Sequence, residues 1–154
     1  MRVGAFEEIE PEFRRRVERM VWCTMATSDA RRRIRSRIVH PLWEGRVGWL
    51  LTDRRSPKGK HLDANPWTSL TYIDSQQEQV HVECRTEWVD APGEKRRVWT
   101  WFASIPPPLG YDPGLFFKSA EDASFGLVKL VPWRVELWSL ADLMAGRQPQ
   151  VWRA

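Results

Sequence analysis

Hydrophobic and polar positions alternate over much of this chain with the period of a β-strand, in which successive side chains face opposite sides. Residues 21–27, 34–40, 47–52, 67–73 and 79–89 are short runs of β-branched and aromatic residues bounded by turn formers such as Ser28-Asp29 and Glu44-Gly45. The run over 79–89 is the longest clean alternation. Residues 126–139 read as a strand or a strand pair, with Pro132 marking a break or bulge because proline removes a ladder donor.

Helical spacing is confined to a few places. Over residues 10–20, Phe13, Val17 and Met20 recur on one face behind Pro11 and an acidic first turn. Arg14, Arg15, Arg16 and Arg19 fill the rest of that surface and read as a solvated charged face. Asp90 is placed to cap a helix running to about residue 103, with Val98, Trp101 and Phe102 on its apolar side. Residues 105–113, Ile-Pro-Pro-Pro-Leu-Gly-Tyr-Asp-Pro, favour an extended connector. Residues 114–125 are expected to be irregular, and a short helical tail spans 140–145. The pattern is about six antiparallel strands with two to three helices and no βαβ rhythm. Such a core closes into a barrel or sandwich with helices at its side.

The length of 154 residues suits one domain, and 42% hydrophobic content is compatible with a packed core. No apolar run approaches a membrane span and no apolar signal core opens the chain, so a cytoplasmic protein without a membrane partner is expected. Cys23 and Cys84 form no framework and read as buried thiols of a reducing compartment. Ten tryptophans suit an indole-rich core and an oligomer interface, with one or two free to flank a flat ligand.

Charge changes the picture. The net charge is +4, but residues 1–60 carry fifteen Lys or Arg against eight Asp or Glu. The excess is modest and no aromatic-basic strand code accompanies it, so nucleic acid is not the expected partner. Part of it falls in residues 52–66, as Arg54, Arg55, Lys58 and Lys60. There Ser56 can accept a free N–H of a helix first turn, Pro57 suits the first helical position, and Asn65-Pro66 stops the helix. Lys58 then sits in the first turn, where the helix dipole disfavours a cation. A bound phosphate would relieve that crowding, drawing on the free N–H groups, the hydroxyl and the ammonium together. Arg35 and Arg37 share a strand face and would repel unless solvated or sharing an anion. Dinucleotide, Walker and zinc-protease motifs are absent. His81 and Glu83 share a face with Gln79, but strand histidines at this spacing are not expected to hold a metal. No nucleophile with a positioned base stands out. His40 and Arg35 are the candidates for proton transfer, and no catalytic residue is assigned.

Taken together, these segments resemble the flavin-binding split β-barrels of the pyridoxamine 5'-phosphate oxidase-like superfamily. Arg35-Ser36-Arg37-Ile38-Val39 is similar to the arginine-led strand along the flavin phosphate and ring. Thr52, Ser56-Pro57-Lys58-Gly59 and Asn65-Pro66 are similar to the strand-end threonine, the phosphate loop and the helix stop. Gln79-Val80-His81-Val82 is similar to the strand that follows, and Pro132, Glu136 and Trp138 loosely resemble the final strand. The resemblance covers residues 20–90 well and 126–139 loosely. It implies one domain over 1–154, a mainly β fold, and a six-stranded antiparallel split β-barrel with two to three flanking helices. It also implies a homodimer with FMN at the interface, bound by Arg35, Arg37, Ile38, Val39, Thr52, Ser56, Lys58, Gln79 and Trp138, next to a small-molecule substrate.

Two departures shape the functional expectation. Pro57 stands where the family loop has arginine, leaving Arg54 or Arg55 to substitute. The family's substrate-phosphate signature after the final tryptophan is replaced by Ser139-Leu-Ala-Asp-Leu-Met-Ala-Gly-Arg147. The resemblance therefore implies an FMN-binding oxidoreductase acting on something other than pyridoxamine phosphate. Its alternatives are a deazaflavin-dependent reductase, whose anionic coenzyme tail the Arg31–Arg35 cluster could meet, and a flavin- or haem-binding module without turnover.

Overall fold

The period-two pattern becomes a single antiparallel sheet in the computed structural model, which describes residues 1–154. In order, the chain forms α1 (Glu10–Met20), β1 (Cys23–Ser28), β2 (Ile34–Val39), β3 (Leu42–Glu44), β4 (Val47–Asp53), α2 (Pro57–Ala64), β5 (Trp67–Ile73) and β6 (Glu78–Trp88). It continues through α3 (Pro92–Ser104), β7 (Phe125–Ser139), α4 (Leu140–Met144) and β8 (Gln150–Arg153). The strands run β2-β1-β5-β6-β7-β4-β3 across the sheet, with β8 also on β7. The two ends, β2 and β3, do not pair, so the barrel is split.

All six long strands form where alternation places them, and two short ones join them. β3 and β8 have three and four residues. β3 pairs with β4 across a two-residue hairpin and β8 with β7 after α4, and both are too short for alternation to mark. β8 pairs with β7, and Val3 donates to its Val151 carbonyl at 2.9 Å. β7 is one continuous strand: the bulge lies opposite Glu83 and Cys84, where Pro132 and Arg134 find partners and Trp133 does not.

One face of the sheet carries the core. Met25, Leu70, Val80, Val82 and Val135 pack under α1, whose Phe13 meets the Trp43 ring edge-on at 5.1 Å. Tyr72 is fully enclosed and accepts a hydrogen bond from Trp43 Nε1 at 2.8 Å. Each large side chain enclosed in this way stabilises the fold by about 1.5–3 kcal/mol. A smaller cluster of Leu51, Val98, Phe102, Phe117, Phe125 and Leu127 packs beneath α3 and the segment 105–117. Cys23 and Cys84 are buried free thiols, and burial pushes Cys23 up to about 12.

Two local expectations are corrected. Arg16 is not solvated. It is only 5% exposed, and its guanidinium donates to Glu12 and to the carbonyls of Gln79 (3.0 Å) and Trp138 (2.7 Å), tying α1 to the ends of β6 and β7. Asp90 does not cap α3. The N-cap is Ala91, and Asp90 instead accepts from Arg54 at 2.5 Å.

The opposite face is largely uncovered. Across it the register aligns Ile38, Thr24, Thr71, His81 and Glu136 on consecutive strands. Ile34, Ile38, Trp67 and Ile73 on this face are 78, 65, 53 and 57% exposed. β2 is also an edge strand, paired with β1 on one side and with nothing on its outer edge, a combination that natural sheets normally cover.

Candidate functional site

β2, the end of β4 and the start of α2 converge on one charged hollow of about 360 Å3, lined by Arg35, Ser36, Arg37, Thr52, Asp53, Ser56, Pro57 and Lys58. The local chemistry of the 52–66 stretch builds it. Ser56 is the N-cap of α2 and its Oγ accepts from Gly59 N at 3.1 Å; Pro57 opens the helix and Asn65 ends it. Gly59 is required by packing, because a Cβ there would stand 2.3 Å from the Arg54 carbonyl oxygen. The helix start is thereby pressed against the end of β4, with Lys58 facing Arg37.

Lys58 is half-buried and its pKa is lowered, first by burial and then by the Arg37 guanidinium. Arg37 is lowered in the same direction, by burial and then by Arg35. The one carboxylate at the rim, Asp53, is engaged by the Arg55 backbone N–H (2.8 Å) and faces its guanidinium at 3.5 Å. Three cations thus share a hollow whose one carboxylate is already engaged by Arg55. An anion held there would restore the charge balance and receive charge-assisted hydrogen bonds.

Arg37 is held in place by groups that sequence reasoning missed. It donates to Thr27 Oγ1 at 2.7 Å and to the Met25 carbonyl at 3.3 Å, and Thr27 Oγ1 lies 2.9 Å from His61 Nδ1 on α2. This link joins β1, β2 and α2 from three distant parts of the chain, and no motif spans it. Arg54 and Arg55, the two candidates to substitute for the loop arginine, do not line the hollow. Arg54 lies over the Trp88 ring at 4.4 Å and is paired with Asp90, while Arg55 is held by Asp53.

A larger cavity of about 620 Å3 opens from the same place. Thr52, Asp53 and Lys58 line both spaces, and Ile38 and Val39 run along the larger one. Its far wall is Trp22, His40, Tyr111, Leu115, Phe116 and Phe117. His40 Nε2 lies 2.6 Å from the Leu109 carbonyl, so the proton sits on that nitrogen, and burial lowers the ring's pKa despite this bond. Arg35, at the charged mouth, is exposed.

Seven of the nine expected site residues therefore lie along two connected spaces: Arg35, Arg37, Thr52, Ser56 and Lys58 at the charged end, Ile38 and Val39 beside the apolar one. Gln79 and Trp138 line neither. They are direct neighbours across β6 and β7, on the same uncovered sheet face as Ile38. Gln79 Oε1 lies 2.9 Å from His81 Nε2, and no cluster of His, Cys, Asp and Glu capable of holding a metal is present.

Solved structures share this fold. A Clostridium acetobutylicum protein related to general stress protein 26, of the pyridoxinephosphate oxidase family, aligns with a TM-score of 0.73 at 12% identity, over 96% of this chain and 95% of that one. A pyridoxamine 5'-phosphate oxidase-related, FMN binding protein from Nostoc punctiforme aligns with a TM-score of 0.65 at 16% identity, over 90% and 86%. An F420 reductase aligns with a TM-score of 0.60 at 17% identity, over 79% and 93%. No curated protein matches the chain. The sequence profile described as pyridoxamine 5'-phosphate oxidase matches residues 9–139, a span that takes in α1, the charged hollow and β7. With that span matched, the chain belongs to the pyridoxamine 5'-phosphate oxidase family.

Proposed function

We propose that this protein is an FMN-binding oxidoreductase, acting as a homodimer on a small molecule other than pyridoxamine phosphate. The observation that carries this reading is the half-buried Lys58, set at a helix start against Arg37 without an ion-pair partner, the nearby Asp53 being engaged by Arg55. The FMN phosphate belongs there, against Lys58, Arg37 and Arg35, with the Ser56 and Thr52 hydroxyls beside it. The cofactor ring then extends along the Ile38 and Val39 backbone, on the open edge of β2. When bound, the flavin supplies the hydride chemistry. The chain's own residues bind the phosphate, orient the ring and exclude water.

Gln79 and Trp138 enter through the dimer. They share the uncovered face with Ile38, so a second copy seated on that face brings Gln79 of the partner subunit towards the ring edge. The same packing covers Ile34, Ile38, Trp67 and Ile73 and shields the β2 edge. The region after Trp138 supports a different substrate, because α4 occupies it, with Ser139 as its N-cap. Rapid-mixing reduction tests the enzymatic part. Bleaching of the bound flavin by NADPH, or by a reduced deazaflavin, followed by reoxidation with an organic acceptor, supports it. A bound flavin that exchanges electrons with no donor or acceptor identifies a binding module instead.

One observation favours a deazaflavin coenzyme as the second reading. Arg31 and Arg32, in the turn that leads into β2 and Arg35, are exposed without an ion-pair partner, and Arg33 is engaged by Asp29 at 2.8 Å. That loop could meet an oligoanionic tail. Parallel titrations with FMN and the deazaflavin decide between them.

A further inference from the structure

The far end of the large cavity is unlike the end that faces the phosphate hollow. Trp22, Leu115, Phe116 and Phe117 form its wall, and no Lys or Arg lies among its lining residues beyond Lys58. An anionic group placed against that wall would be desolvated without a partner, at a cost that rejects it. Phe116 and Leu115 are 70 and 75% exposed, an open apolar surface carried by the segment after α3. A flat apolar ligand lying on them would cover it.

Within this wall one hydroxyl stands out. Tyr111 packs against His40, Phe102 and Phe116, at ring-centroid distances of 4.9, 5.3 and 5.8 Å. Its ring is fixed on three sides, but its hydroxyl has no hydrogen-bond partner in the chain, and no buried side-chain oxygen or nitrogen is left unsatisfied. The hydroxyl is therefore accessible, on a residue that lines the cavity. Burial pushes the Tyr111 phenol above its ordinary range, so it remains a donor. His40, whose Nε2 proton is committed to Leu109, offers no competing donor there.

We infer that this far pocket binds the substrate, and that the substrate is a flat, uncharged ring compound bearing a carbonyl to which Tyr111 Oη donates a hydrogen bond. The inference rests on the cofactor reading for the position of the flavin, and it adds the ligand class and the residue that selects it. The apolar wall sets the preference for a neutral ring, and Tyr111 sets the preference for the carbonyl. The segment 105–117 supplies most of this wall, so it acts as the specificity element.

The test is calorimetric titration of the FMN-saturated protein with acetonaphthone, ethylnaphthalene, naphthoate and pyridoxamine 5'-phosphate. The expected result is binding of acetonaphthone ahead of ethylnaphthalene, and no measurable binding of the two anions. Tyr111→Phe should weaken acetonaphthone about fivefold, the loss of one neutral hydrogen bond, and leave ethylnaphthalene unchanged. Its melting temperature serves as the check that the fold is intact. Leu115→Asp with Phe116→Asp, at two exposed positions, should weaken both neutral ligands. Binding of naphthoate as tightly as acetonaphthone, or an equal loss of both neutral ligands in Tyr111→Phe, overturns the inference. So does displacement of acetonaphthone by FMN from the unloaded protein, since the pocket would then be the ring site. FMN binding is followed separately by quenching of its fluorescence. If acetonaphthone binds with this selectivity and FMN does not bind, the cofactor reading fails and the ligand class stands.

Discussion

Lys58 separates the cofactor reading from a merely basic surface. It is half-buried beside Arg37, whereas Lys95 donates to the Phe125 carbonyl at 2.8 Å and has no part in the hollow. Charge-assisted hydrogen bonds contribute about 1.5–3 kcal/mol, so Lys58→Ala should weaken FMN roughly ten- to hundredfold. Lys95→Ala should leave the dissociation constant within about twofold; equal losses in the two variants would show that only overall charge matters. The pKa of Lys58 lies below its ordinary value of 10.5, through burial and then Arg37. Affinity should therefore be full while Lys58 is protonated and fall as pH rises through its depressed pKa. Titrations across the alkaline range should show that fall in the natural protein and a flatter profile in Lys58→Ala. At this scale the sequence was most readable where the chemistry is local. Ser56, Pro57 and Asn65 follow capping rules within ten residues of one another. Thr27 and His61, which hold Arg37, were not readable, because their contact exists only once β1, β2 and α2 are packed. Arg54 shows the same limit: it sits beside the hollow in sequence but turns to Trp88 and Asp90 in space.

At the scale of elements, periodicity located every long strand and both long helices, because each buries one face and must repeat accordingly. β3 and β8 escaped it because three or four residues carry too little pattern, β3 pairing with β4 in a tight hairpin and β8 returning onto β7 after α4. Arg16 escaped it because a charged side chain reads as surface, although the i+3 spacing from Phe13 sets it at the margin of the buried face that Arg14, Arg15 and Arg19 lie away from. It is the packing of α1 on β6 and β7 that buries its guanidinium against two backbone carbonyls. Arg16→Leu should therefore cost about 2–4 kcal/mol by taking the guanidinium away from those two carbonyls, while Glu12 keeps its bonds from Arg15. In a chain of this size that lowers the melting temperature by roughly 5–15 °C. Arg14→Leu, on the exposed side of the same helix, should change it little. A scanning calorimetry trace in which the two variants melt together would contradict the role given to Arg16.

For the whole molecule, the uncovered sheet face connects stability, assembly and cofactor. No helix is long and apolar enough to cross a membrane, and the exposed Ile34, Ile38, Trp67 and Ile73 gather on one face beside the open edge of β2. If that face is the dimer interface and Gln79 acts across it, Ile38→Glu should disrupt assembly and FMN binding together. Light scattering should show a dimer for the natural protein and a monomer for the variant, with flavin lost in parallel. A monomer that keeps full FMN affinity would place Gln79 outside the site.

The most direct test of the central claim is titration of the purified protein with FMN, preceded by an absorption spectrum and mass measurement of anything that co-purifies. The account predicts one FMN per chain, bound at micromolar concentration or tighter, with its visible spectrum perturbed and its affinity reduced in Lys58→Ala. Failure of both FMN and the deazaflavin to bind at micromolar concentration would contradict it.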